Sequence, residues 1–60
     1  MKIRFKDLSK GDVFKICGYS TKLVKLEDKF CGNAKVIETK VPSELNKIKW
    51  IHGSVYVEKL

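Results

Sequence analysis

The residues best suited to chemistry in this chain are its two cysteines, Cys17 and Cys31, and its single histidine, His52. Two thiolates and an imidazole can hold zinc, but only at a defined spacing. These cysteines are too far apart for a Cys-x-x-Cys motif, and the three positions match no zinc pattern. Strand-end and core roles are the commoner fate of such residues. The thiols are therefore expected to be reduced, small, buried apolar groups. Asp7 with Asp12, and Glu27 with Asp28, are carboxylate pairs, but both flank turns, where capping is the simpler role; Asp7 is expected to cap the turn at residues 8–10. No Gly-rich phosphate loop and no nucleophile motif is present. Catalysis is not expected, and neither a cofactor nor a metal.

Size points the same way. Sixty residues make a single domain, 1–60. A chain this short buries only about 60% of its unfolded surface, and its core supplies roughly 3–5 kcal/mol of net stability. A closed catalytic site is hard to enclose in so little volume, whereas a binding face is easy to build. The hydrophobic fraction of 43% fits a globular fold rather than a disordered chain. No apolar run approaches the ~20 residues of a membrane span. Met1-Lys2-Ile3-Arg4 leads into no apolar stretch, so no signal peptide is expected, and the expected setting is cytoplasmic.

Charge is the most distinctive compositional feature. The chain carries a formal net charge of +6, nearly all of it lysine, with Arg4 the one arginine. Lysine is a hydrated point charge, while arginine forks onto phosphate and guanine. Such a surface attracts a polyanion without reading its sequence, or simply keeps a small protein soluble.

The elements that must position these groups read as short strands. The organising stretch runs from Phe5 to Phe14. Phe5 and Leu8 are apolar anchors, Ser9-Lys10-Gly11-Asp12 is a turn with Gly11 at positive φ, and Phe14 opens the first good strand. Alternation places strands over 13–17, 21–27, 34–39, 47–52 and 55–60, after a lead-in at 1–4. Pro42 breaks the pattern, and residues 42–45 suit one helical turn with Leu45 inward. Gly32-Asn33 offers a left-handed turn, with Phe30 as a lid over one end. The spacing of the last two strands predicts a hairpin. The expectation is an all-β fold, a small SH3-like five-stranded barrel with one short helical turn; an OB-like or open meander sheet is the alternative.

Phe5, Asp7-Leu8, Gly11-Asp12 and Phe14, followed by Val24-Lys25-Leu26 and Asn33-Ala34, resemble short uncharacterised proteins of tailed bacteriophages. The resemblance covers about the first two-thirds of the chain. It implies a phage or prophage origin, a compact β-barrel and the host cytoplasm as location. It implies no reaction and carries over no functional residue.

The expected core is Phe14, Ile16, Val24, Leu26, Val36, Ile48, Trp50, Val55 and Val57. The register of 21–27 is ambiguous, because Leu23 and Lys25 form the other face. Side chains opposite that core make a basic outer face, with Lys25, Lys35, Lys49, Tyr56, Ile37 and Ile51 as the candidate binding residues. Such a face fits an acidic surface on a host protein, the lysines speeding encounter and the apolar groups holding the bound state. Nucleic acid is the alternative ligand, disfavoured by scarce arginine and few free aromatic rings. The plain alternative is that the lysines are only solvated while Leu23, Ile37 and Ile51 cover a minor core. Oligomeric state is open.

Overall fold

The computed structural model describes residues 2–60; Met1, part of the expected lead-in strand, lies outside them. Strands form where the alternation put them: β1 (Lys2–Arg4), β2 (Val13–Ile16), β3 (Lys22–Lys25), β4 (Gly32–Glu38), β5 (Ile48–Ile51) and β6 (Tyr56–Lys59). Two 3-10 turns, η1 (Phe5–Asp7) and η2 (Pro42–Glu44), interrupt them. The fold is all-β, with the lead-in as a sixth strand because β1 pairs along β6.

The strands make one antiparallel sheet in the order β1-β6-β2-β3-β4-β5. The ladder stays open, with β1 and β5 as its edges, so the expected closed barrel does not form. The sheet is nevertheless bent, as its connectivity requires. β5 and β6 stand four positions apart, about 19 Å in a flat sheet. Between them lies only a turn, closed by Val55 N–H donating to His52 O at 3.1 Å. Such a turn and its two flanking steps span about 15 Å at most, so the sheet bends to bring β5 toward β6.

The expected β5–β6 hairpin is likewise absent. Phe5 N–H donates to Val55 O at 2.8 Å and Lys6 N–H to Gly53 O at 3.1 Å. The N-terminal turn thus takes the Val55 carbonyl that a hairpin would have used. Gly53 is buried in this crossing. A Cβ there would lie 2.4 Å from Phe30 O and 2.6 Å from the Phe30 ring. Phe30 lies across the glycine, not over a barrel end, and is 56% exposed.

The core holds Phe5, Leu8, Phe14, Leu23, Ala34, Val36, Ile51 and Val57, with Ile3, Ile16 and Val55 packed against it. Phe5 and Phe14 meet edge to face, centroids 5.5 Å apart, a favoured aromatic geometry. Phe14, Ile16, Val36, Val55 and Val57 sit as expected. Val24 and Leu26 are only half-buried, and Ile48 and Trp50 are exposed. On β3 and β5 the opposite set turns inward.

On β3 the cause is Lys25, which is 1% exposed. Its Nζ donates to Phe5 O at 3.0 Å and Leu8 O at 2.7 Å, and lies 4.4 Å from the centroid of the Phe5 ring. Two carbonyls and a π face account for all three ammonium donors. Its backbone holds the same segment, accepting from Gly11 N–H at 2.8 Å and donating to Asp12 O at 3.0 Å. Asp12, rather than Asp7, caps the turn, its Oδ2 accepting from Ser9 N–H at 2.8 Å. Gly11 has φ +90°, as expected, whereas Gly32-Asn33 begins β4 and the other left-handed positions are Gly18 and Asn46.

Lys25→Met keeps the aliphatic stem but removes the donors. Losing these charged hydrogen bonds should cost about 2–3 kcal/mol in urea unfolding. Wild-type stability in this variant would show that the ammonium does not hold η1. Gly53→Ala forces a methyl against the Phe30 backbone and should cost about 1–3 kcal/mol by thermal melting.

Candidate functional site

The inner surface of the curl does not fill completely. A groove of about 440 Å³ opens beside β5, with Leu23, Val36 and Ile51 among its lining and Ile16, Tyr19 and Val41 extending the apolar wall. Glu44 and Lys49 supply its charge, and Thr21 and Thr39 further polar groups. Lys49 reaches the groove because it pairs with inward-facing Ala34, and its Nζ meets Glu44 Oε1 at 2.9 Å. Lys47 Nζ meets the other carboxylate oxygen at 2.8 Å. These two hydrogen-bonded ammonium groups, Lys47 first and then Lys49, hold the Glu44 carboxyl down at about 2 from its usual 4.5.

A second feature lies on the outer side of β5. Ile48 and Trp50 face outward opposite Lys35 and Asn33. The His52 ring contacts Trp50 and Phe30 edge to face, at 6.1 and 5.9 Å, and Lys6 Nζ lies 5.7 Å from the Phe30 ring centroid. Around the same edge, Ile37, Val41, Leu45, Ile48 and Trp50 are all at least 40% exposed. Ile37 owes its exposure to a bulge: β3 pairs Leu23 with Val36 but Lys22 with Glu38, leaving Ile37 as the extra residue. Leu45, expected inward, follows η2 and is 48% exposed.

The six candidate binding residues do not form one face. Lys25 and Ile51 are buried in the core, and Lys49 lies in the groove with Glu44. Lys35 and Ile37 remain together on β4. Tyr56 is on β6, three ladder positions away, with Arg4 and Lys2 stationed 4.4 and 5.3 Å from its ring centroid. Carboxylates interrupt the outer basic surface: Lys22 pairs with Glu38 at 2.7 Å and Lys15 with Glu58 at 3.7 Å. Tyr19, in the turn after β2, and Trp50 are exposed aromatic residues at the groove that sequence parity did not select. For Tyr19, an aromatic ring in a glycine-bearing turn was the available signal.

The chemistry-bearing residues stay apart. Among the described residues, no group of three or more His, Cys, Asp or Glu side chains is arranged to hold a metal. Cys17 is exposed, not buried as expected, and Cys31 is half-buried, its Sγ accepting from Gly53 N–H at 3.1 Å. His52 Nδ1 lies 2.8 Å from Ser54 Oγ, a contact reminiscent of a base and nucleophile. Ser54 N–H also donates to Nδ1, at 3.1 Å, which marks the contact as a local brace within the turn. Compared with protein-family models, curated proteins and solved structures, the chain matches none.

Glu44 makes acid a test of the η2–β5 arrangement. Its folded-state pKa is lowered, so its stabilising contribution is present above pH 4.5 and is lost as pH falls from 4.5 toward 2. Glu44→Gln should remove that part of the acid limb of a stability–pH curve, and high salt should shrink it in the wild type. An unchanged acid limb in Glu44→Gln would mean the carboxylate is not paired in solution.

Proposed function

We propose that this chain is a non-catalytic binding module that engages a protein partner through the surface around β5. One observation carries the reading. Five large apolar side chains, Ile37, Val41, Leu45, Ile48 and Trp50, are exposed within the one stretch of chain that runs from the end of β4 through β5. Exposed apolar groups concentrated beyond scattered single residues mark interaction sites, and tryptophan is enriched among residues that dominate binding energy. Glu44 and Lys49, the charged groups of the adjoining groove, neutralise each other, which suits recognition better than proton transfer. The positive charge that remains speeds encounter with an acidic surface. The likeness to small tailed-phage proteins makes a host protein in the host cytoplasm the proposed partner, with modulation of that protein as the outcome.

Nucleic acid is the second reading, and one feature favours it. Of six aromatic side chains, Tyr19, Phe30, Trp50 and Tyr56 are exposed, more free rings than the sequence promised. Phe30, His52 and Trp50 contact one another edge to face in sequence, with Lys6 beside Phe30; exposed rings beside positive charge are what single-strand binders use.

Trp50→Ala and Ile48→Ala separate these readings from each other and from a merely solvated surface. Both residues are exposed, so each variant should melt within about 0.5 kcal/mol of wild type. Each should lose proteins that immobilised wild type retains from a bacterial lysate, by at least tenfold. Retention should survive nuclease treatment and 0.5 M salt, conditions that would abolish binding carried by phosphate contacts. Unchanged retention by both variants would remove this surface from consideration. Steep salt sensitivity together with a shift of single-stranded DNA would favour nucleic acid.

A further inference from the structure

We propose that the free edge of β5 accepts an added strand, supplied by an extended acidic segment of the partner protein. This rests on the protein-binding reading above and gives it a geometry.

The backbone argues first. The ladder ends at β5, which pairs only with β4. Val36 N–H donates to Lys47 O at 2.9 Å, in line with the Ala34–Lys49 and Gly32–Ile51 pairs. Antiparallel pairing alternates, so Lys49 and Ile51 turn their backbone groups to β4, while Ile48 and Trp50 turn theirs to the open edge. Among the described residues, no other group bonds to the N–H or C=O of Ile48 or Trp50. An incoming strand finds a preformed row of donors and acceptors, the basis of peptide recognition by strand addition.

The side chains argue next. Residues of an added strand would alternate between the two faces of the sheet. One set would lie over the groove floored by Leu23, Val36 and Ile51, and the other beside Ile48 and Trp50. Edge strands are commonly guarded by lysines that repel such pairing. Here Lys47 and Lys49 are both drawn back onto Glu44, so that guard is lowered.

Charge selects the occupant. Lys35, directly across from Ile48, and Lys40 make no ion pair among the described residues. The chain as a whole carries +6. An acidic segment is attracted to this edge, whereas a second copy would bring an equal positive charge against it.

A displayed library of random twelve-residue peptides, selected against the full chain, tests the inference. Enriched peptides should alternate apolar residues with Asp or Glu. Their binding should slow amide hydrogen exchange at Ile48 and Trp50 by at least tenfold. Ile48→Pro removes the edge-facing N–H and should weaken binding at least tenfold, while Ile48→Val should leave it within about threefold. If Ile48→Pro does not fold, the exchange measurement on wild type decides alone. Peptides that leave both edge amides unprotected, yet fail to bind Trp50→Ala, would overturn strand addition while sparing the binding surface. Enrichment of basic or uncharged sequences would overturn the acidic occupant. Protection of the edge amides on self-association alone would identify a second copy instead. No enrichment at all would sink both this inference and the protein-binding reading.

Discussion

One ammonium group ties the N-terminal segment to the sheet. Lys25 satisfies the carbonyls of Phe5 and Leu8 with its side chain, and Gly11 and Asp12 with its backbone. A single residue therefore fixes both ends of the segment from η1 to the start of β2. With that segment fixed, Phe5 and Leu8 fall onto the core, and the backbone of Phe5 and Lys6 reaches the turn after β5. The crossing of β5 over to β6 then follows. A buried lysine is costly unless every donor is met; here the ligands are backbone carbonyls, which no surface substitution can remove.

The same curl that buries the core creates the surface around β5. Bending the sheet to span residues 52–55 draws one edge round without closing the ladder. An open groove and an unpaired edge are left side by side. Glu44 then gathers Lys47 and Lys49 toward η2, which makes this side of the molecule more apolar than a chain with thirteen basic residues would suggest.

Much of the fold is legible in the residues. Alternation locates every strand, Gly11 its left-handed turn and Pro42 the break occupied by η2. Facing is less legible, and it fails on β3 and β5 for a shared reason. In both strands apolar residues occupy both faces and a lysine shares one of them, Lys25 with Leu23 and Lys49 with Ile51, and elementary partition puts the lysine's face outside. Lys25 turns inward because two carbonyls seventeen and twenty positions away receive it, while Lys49 stays exposed at the groove, held there by Glu44. Nothing within either strand announces those partners. Once the parity is inverted, Trp50 moves from expected core to exposed surface and Ile51 from expected surface to core. The candidate site moves with them. The hairpin expectation fails similarly, because the competing donor to Val55 O, the Phe5 N–H, lies fifty positions earlier in the chain.

The position of β6 has a mechanical consequence. It lies between β1 and β2, and its antiparallel register with β1 sets Lys2 opposite Glu58. The chain's entry into β1 and its exit from β6 therefore lie side by side, at the same end of one ladder. Tension applied between them loads the β1–β6 hydrogen bonds one at a time, from the outermost pair inward, rather than all together in shear. The domain should be soft when stretched from its ends, opening along that seam as a zipper does.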